Sequence, residues 1–223
     1  MHFAHDQVFQ TLAQYAYEPL MVYLIVFIMM IASGFGFPLP EEVQIVAVGT
    51  LAYMGAHPEL FPPPYAGAPV INGYQAAAFV SFSVIIADNL VFWIGRTGGR
   101  KLMRIERFRK IFESKVMSRV HHFAHKYGVY AAFIFRFTPG LRFPAHLFLG
   151  MSHFSAVAFF LVDALAVIIS VPTQILLIYH FGEPIFATLY KIKTILGIVL
   201  GLILIYVIGH KLWLRYKRSP AAD

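Results

Sequence analysis

Long apolar runs separated by short polar segments dominate the pattern of residues along the chain. A membrane-spanning helix needs about 20 mainly apolar residues. Three runs pass this test, at residues 74–95, 154–181 and 192–213, and a fourth, 19–36, is slightly short but equally apolar. The pattern therefore predicts about four transmembrane helices.

Two further apolar runs are interrupted. Residues 43–56 follow the segment FPLPEE, and residues 128–151 contain two arginines around a Pro-Gly pair in the segment FRFTPGLRF. Apolar runs of this kind are more often re-entrant or buried than spanning. A broken backbone at membrane depth is tolerated only where protein shields it or where it lines a wet cavity. We therefore predict two re-entrant helical hairpins that dip in from opposite sides and enclose a polar cavity.

The two interrupted runs also resemble each other. The segments FPLPEEVQIVAVG (37–49) and FTPGLRFPAHLFLG (137–150) share an aromatic residue, a proline break, a charge five residues after the aromatic residue and a closing glycine. A long apolar run follows each of them. Opposed repeats with discontinuous helices are found in many secondary transporters. The expected fold class is thus an all-α membrane protein built on an inverted repeat.

Composition agrees with a membrane protein. Hydrophobic residues make up 59% of the 223 residues and charged residues 13%, whereas soluble domains are about 45–50% apolar. No strong change of composition divides the chain, so we expect one membrane domain over residues 1–223. The chain has no cysteine, which excludes disulfides, thiolate metal ligands and cysteine nucleophiles.

Positive charge is concentrated in one segment. Ten of the 18 Lys and Arg residues lie between positions 96 and 126, whereas residues 1–19 and 57–73 contain none. The positive-inside rule places residues 96–126 and the basic tail of 192–223 in the cytoplasm. We expect both termini in the cytoplasm and 57–73 outside, so that 19–36 runs outward and 74–95 runs inward. Residues 1–18 and the basic segment are expected to form amphipathic helices at the membrane surface, with no nucleic acid partner.

The segments PLPEEVQIVAVGTLA, ADNLVFWIGRTGGRKL and FRFTPGLRFPAHLFLGMSHFSAVAFF together resemble the DedA family of bacterial inner-membrane proteins, which shares the VTT domain with eukaryotic lipid scramblases. The resemblance covers about residues 30–182. It implies movement of lipid carriers, notably undecaprenyl phosphate, and dependence on the proton-motive force. It also implies that a membrane-embedded acid maps to Glu41 or Glu42 and two essential arginines to Arg136 and Arg142. Many relatives carry a further acid where this chain has Ser33-Gly34.

Six ionisable residues fall inside apolar runs, where an ionised side chain is expensive and so needs a partner or a task. Arginine keeps its proton, and its planar fork matches phosphate oxygens in pairs. We therefore expect Arg136 and Arg142, with Gly140 between them, to bind a lipid phosphate. The alternative is that both arginines only tie the hairpins together by pairing with Glu41 and Glu42.

The acids are candidates for proton coupling, because burial favours the neutral form of an acid and a nearby arginine favours the ionised form. We assign this role to Glu41, Glu42 and Asp88, with a preference for Glu42 over Glu41. Asp163 and His146 are possible cavity residues, each with a structural role as the alternative.

These features favour a proton-coupled transporter of an anionic lipid phosphate, with membrane lipids and protons as its partners. A passive phospholipid scramblase, for example of phosphatidylethanolamine, is the alternative. A membrane enzyme would need a nucleophile and a base, and the sequence shows no such constellation. We expect no cofactor and no metal, and the sequence leaves the oligomeric state open.

Overall fold

The computed structural model describes residues 11–34, 40–102, 104–106, 109, 112–113, 115–138, 141–152 and 154–182. Regular structure in these ranges is entirely helical, as predicted. We number the helices α1 (Thr11–Tyr17), α2 (Pro19–Gly34), α3 (Glu41–Ala56), α4 (Gly73–Leu102), α5 (Lys115–Tyr127), α6 (Ala131–Arg136), α7 (Arg142–Met151) and α8 (Ala156–Gly182). The predicted span 192–213, the basic tail and residues 1–10 lie outside the described residues.

Helices α2 and α3 form a hairpin that lies along α4. The ring of Tyr23 in α2 stacks on Phe79 with centroids 4.8 Å apart, and a Cβ on Gly34 would lie 3.3 Å from that of Ala87. Helix α2 therefore runs parallel to α4. Helix α3 returns, because Gly55 near its end packs beside Ile71, just before α4 begins.

This arrangement corrects the predicted direction of the first apolar run. The Tyr17 hydroxyl donates a hydrogen bond to the Phe61 carbonyl oxygen at 2.5 Å, and the Ile71 N–H donates to the Ala16 oxygen at 3.0 Å. Helix α1 and the loop 57–72 thus lie on the same side of the bundle. The prediction that 19–36 and 74–95 run in opposite directions is wrong. The predicted placement of the N-terminal segment in the cytoplasm with 57–73 outside is also not compatible with α1 beside the loop 57–72.

The direction of α2 was mispredicted because of its short length and because the sequence does not show which helix it packs against. The 16 residues of α2 reach about 24 Å, which is less than the roughly 30 Å of a hydrocarbon core. Such a helix fits one arm of a hairpin better than a complete span. Helix α1 is bent by 100° from α2, so the chain turns sharply before the hairpin begins. Apolar length alone does not reveal which neighbour a helix pairs with.

The second half repeats the plan in the opposite sense. Helices α6 and α7 approach each other where the Leu141 N–H donates a hydrogen bond to the Thr138 oxygen at 3.2 Å, and α7 then runs along α4 until Gly150 contacts the Phe92 backbone. Helix α8 runs back antiparallel to α4. Its first half stacks Phe159 on Phe92 with centroids 4.3 Å apart, and its last turn brings Tyr179 to Gly73.

Each half is therefore a helical hairpin followed by one long helix, α2–α3–α4 and α6–α7–α8. Within the described residues α4 and α8 are long and apolar enough to cross a membrane, and the bent pair α1–α2 is a third candidate. The tips of the two hairpins meet beside Asp88 of α4. This meeting point holds most of the buried charge of the described residues.

The amphipathic helix α5 covers the second hairpin. Its apolar residues Met117, Val120 and Ala124 are buried against α6 and α7, while Arg119 and Lys126 are exposed. The apolar face of α5 is thus covered by protein, and its cationic face is exposed. Helices α2 and α8, by contrast, have many large apolar side chains that are exposed. Exposed apolar side chains of this kind are typical of surfaces that contact lipid.

Candidate functional site

Two helix ends deliver the arginines to the hairpin tip. Arg136 is the last residue of α6 and Arg142 the first residue of α7. The helix stops between them because Pro139 lacks a backbone N–H and restricts the residue before it. The break therefore places two guanidinium groups on facing ends of short helices.

Arg136 uses all three of its nitrogens. Nη2 donates to Glu41 Oε1 at 2.8 Å and Nη1 donates to Asp88 Oδ2 at 2.9 Å, while Nε donates to the Ser170 hydroxyl at 2.9 Å. Its side chain is only 4% exposed. A buried guanidinium group is stable only when its donors are paired in this way.

Arg142 binds the same two carboxylates from the other side. Its Nη2 lies 2.6 Å and its Nε 2.9 Å from Asp88 Oδ1, and its Nη1 contacts Glu41 Oε2. With a side chain that is 21% exposed, it is the more accessible of the two arginines. Two cations and two carboxylates thus alternate in a closed ring.

Each half of the repeat contributes to this ring. Glu41 opens α3 directly after Pro40, where the positive end of the helix dipole favours a carboxylate. Asp88 lies 15 residues after the start of α4, at about 22 Å along its axis. The ring therefore lies beside the middle of α4, far from either end of the helix. The tips of both hairpins reach α4 at this point.

Asp163 of α8 and His146 of α7 complete the cluster without joining the ring. Asp163 is fully buried, and its Oδ1 lies 3.8 Å from Arg136 Nη1. His146 is 1% exposed, and its Nδ1 lies 3.3 Å from Asp88 Oδ1. Neither side chain makes a hydrogen bond to another described residue. These two are the least satisfied ionisable groups of the cluster.

The structure brings together six of the eight residues predicted for the site: Glu41, Asp88, Arg136, Arg142, His146 and Asp163. Glu42 is exposed and points away from the cluster, because adjacent helical residues lie about 100° apart. The preference for Glu42 over Glu41 therefore finds no geometric support. Gly140 lies outside the described residues.

Two further polar residues were not predicted. Ser170 follows Asp163 by seven positions, so both occupy one face of α8, and it accepts the hydrogen bond from Arg136. Gln44 follows Glu41 by one helical turn and is 4% exposed, and its amide makes no hydrogen bond to a described residue. Helical spacing from the predicted acids is the signal that would have found both.

Asp88, His146 and Asp163 also have the spacing of a metal site. One oxygen or nitrogen from each lies within 4.8 Å of the other two. The surrounding charges oppose this use, since Asp88 already accepts hydrogen bonds from both arginines. A metal ion there would face two fixed positive charges at short range. A single proton suits this donor set better than a metal ion.

Comparison with known proteins shows to which family this architecture belongs. A family model described as the VTT domain matches residues 19–180, a range that holds both hairpins, both long helices and all six residues of the cluster. The chain belongs to the VTT domain family. The resemblance to DedA proteins seen in the sequence is thereby confirmed. The match starts at α2, which agrees with α2 being the first arm of the repeat.

Three relatives of the VTT domain family illustrate the similarity. An uncharacterized membrane protein of Haemophilus influenzae is 33% identical over 156 residues, which cover 70% of this chain and 68% of the relative. An inner membrane protein of Borreliella burgdorferi is 24% identical over 86% of both chains. An uncharacterized membrane protein of Bacillus subtilis is 28% identical over 58% of this chain and 71% of the relative. No solved structure matches the chain.

Proposed function

We propose that this membrane protein moves an anionic lipid phosphate between the two leaflets of a bacterial cytoplasmic membrane. The observation that carries the proposal is the pair of guanidinium groups at facing helix ends, each held by carboxylates. A phosphate presents paired oxygens in the same way as a carboxylate. It can therefore replace Glu41 or Asp88 on either arginine without new geometry.

The two arginines differ in access, which suggests an order of binding. The Arg142 side chain is 21% exposed and that of Arg136 is 4% exposed. A lipid phosphate would meet Arg142 first and displace Glu41 and Asp88 from it. Arg136 would keep the hairpins connected through Asp88 and Ser170 while this exchange takes place.

Displacement of the carboxylates gives a physical reason for proton coupling. A carboxylate that loses its arginine inside the protein favours its neutral form, so binding of a phosphate draws protons onto Glu41 or Asp88. Inward movement of one negative charge costs about 2.3 kcal/mol per 100 mV of negative-inside potential. Protons that travel with the lipid remove this cost.

The positive-inside rule supplies the orientation. With residues 96–126 in the cytoplasm, the α6–α7 hairpin enters from the cytoplasmic side. The α2–α3 hairpin, α1 and the loop 57–72 then lie toward the outside. Undecaprenyl phosphate, the lipid that the resemblance to DedA proteins implies, is the substrate to test first.

The test uses purified protein in vesicles that contain labelled undecaprenyl phosphate. Arg142→Lys keeps the charge but loses the fork, so transport should fall about tenfold or more, as expected for the loss of a charge-assisted hydrogen bond. Arg109→Lys, an exposed arginine of the basic segment, is the matched control and should transport normally. The rate is measured with and without a pH gradient.

Other outcomes would overturn the proposal. Normal transport in Arg142→Lys, together with stability lost in Arg142→Ala and regained in Arg142→Ala/Glu41→Ala, would mean that the arginine only ties the hairpins. Equal movement of labelled phosphatidylethanolamine without any effect of the gradient would favour a passive scramblase. Chemical conversion of the lipid would favour an enzyme.

A further inference from the structure

Asp163 differs from the other buried acids in its surroundings. Glu41 and Asp88 each contact both arginines, whereas the ion-pair contact of Asp163 within the described residues is with Arg136 Nη1, at 3.8 Å. No described residue donates a hydrogen bond to either of its oxygens, and none of its surface is exposed. An ionised carboxylate in this position would be a largely uncompensated buried charge.

The charges around Asp163 come from every element that packs at the site. Glu41 comes from α3, Asp88 from α4 and Arg136 from α6, while α7 supplies Arg142 and His146. The α2 sequence contains no Asp, Glu, Lys, Arg or His. With a neutral imidazole, two cations face three carboxylates including Asp163, so the fully ionised cluster has a charge of −1. One bound proton makes it neutral.

We propose that Asp163 carries this proton in the resting protein and is the acid that exchanges it during transport. Asp163 is the acid with the weakest contact to arginine, so it gains most from being neutral. His146 lies beside it as a neutral polar neighbour: one atom each of Asp163, His146 and Asp88 lie within 4.8 Å of one another. The role in transport rests on the function proposed above, whereas the presence of the proton does not.

The exchange follows from the same geometry. When a lipid phosphate draws an arginine away from Asp88, the proton leaves an Asp163 oxygen and binds an Asp88 oxygen, directly or through a His146 nitrogen. On the direct route one O–H bond breaks and one forms; on the route through His146 an N–H bond also forms and then breaks. Asp163, now ionised, draws a new proton into the cluster. Each lipid phosphate bound would therefore bring in one proton from solution.

Infrared spectroscopy on the purified protein tests the resting proton without any transport assay. The wild-type protein at neutral pH should show the C=O band of a buried protonated carboxyl group. Labelling of all aspartates with ¹³C at the side-chain carboxyl should shift this band, and Asp163→Asn should abolish it. Glu59→Gln, which removes an exposed loop carboxylate, is the control and should keep it. A band that survives Asp163→Asn, or that does not shift on labelling, would overturn the proposal.

Vesicle transport tests the exchange. The ratio of lipid-phosphate transport rates with and without a pH gradient should fall to one in Asp163→Asn, stay at the wild-type value in Glu59→Gln and be partly retained in Asp163→Glu, which keeps an acid. A wild-type ratio in Asp163→Asn, with loss of the gradient effect in Glu42→Gln, would assign the proton to Glu42 and refute Asp163. If wild-type protein shows the infrared band but moves no lipid, the proposed function fails and the proton site stands.

Discussion

The three nitrogens of Arg136 illustrate how single residues decide whether this site can exist. A guanidinium group that is 4% exposed is tolerated because each nitrogen donates to a partner, and two of these partners are carboxylates. Removal of one partner leaves a charged donor unpaired, which costs more than the net value of the hydrogen bond. The neutral partner, Ser170, allows this principle to be tested without a change in the number of charges.

Replacement of Ser170 by Ala should lower the stability of the folded protein by about 1–3 kcal/mol, because Arg136 Nε loses its acceptor. Ser83→Ala is the matched control, since Ser83 is also buried but donates only to the Phe79 carbonyl oxygen of its own helix. Its loss should cost less than about 1 kcal/mol. Denaturant or thermal unfolding in detergent measures both. Equal effects of the two substitutions would show that the Arg136–Ser170 hydrogen bond contributes nothing special.

At the level of helices, the close crossing of α4 and α7 positions the arginines. A Cβ on Gly95 would lie 2.2 Å from the Leu147 carbonyl oxygen, and one on Gly150 would lie 2.0 Å from that of Phe92. These distances are too short for any side chain, so the backbones touch here. Small residues permit such contacts between membrane helices. The crossing fixes α7 against α4, and thereby fixes Arg142 and His146 beside Asp88.

Two glycines of α4 give a direct test of this crossing. Gly95→Ala should destabilise the protein by about 1–3 kcal/mol, because the new methyl group forces the helices apart. Gly98→Ala, three residues later on the same helix, meets no atom within 4 Å and should be neutral or stabilising by about 0.5–1 kcal/mol. Thermal unfolding in detergent checks both, and a neutral Gly95→Ala would contradict the close packing.

At the level of the whole molecule, the two hairpins lie on opposite sides of the cluster. The α2–α3 hairpin comes from the side of the loop 57–72, and the α6–α7 hairpin from the side of α5 and the basic segment. In the part of the chain that the structure describes, polar groups from both hairpins meet at the tips, around Asp88. This plan puts the charge cluster between two opposed hairpins, an arrangement found in many secondary transporters.

The plan predicts which exposed positions share a side. Cysteines at Leu12 and Tyr65, which are 41% and 62% exposed, should react with a membrane-impermeant reagent from the same side. A cysteine at Arg104, beyond the other end of α4, should react from the opposite side. The chain has no cysteine of its own, so single substitutions suffice in intact cells and inverted vesicles. Labelling of Leu12→Cys and Tyr65→Cys from opposite sides would refute the parallel course of α2 and α4.

The sequence alone determined the class of the protein and most members of the cluster. Apolar length and charge asymmetry indicate membrane helices, and the expense of charge in an apolar run marks Glu41, Asp88, Arg136, Arg142 and Asp163 as residues with a partner or a task. His146 was included because a free imidazole is the side chain that changes charge near neutral pH. The family, too, was recognisable from short motifs, two of which lie beside the breaks in the apolar runs.

Only the tertiary structure decided which residues meet. Apolar length could not show that α2 is the arm of a hairpin parallel to α4, since a short membrane helix and a re-entrant arm have the same composition. It could not choose between Glu41 and Glu42 either, because one step along a helix turns a side chain by about 100°, and the packing of α3 decides which one faces the arginines. The isolation of Asp163 also depends on packing, because it arises from contacts with four other helices that are distant in the sequence.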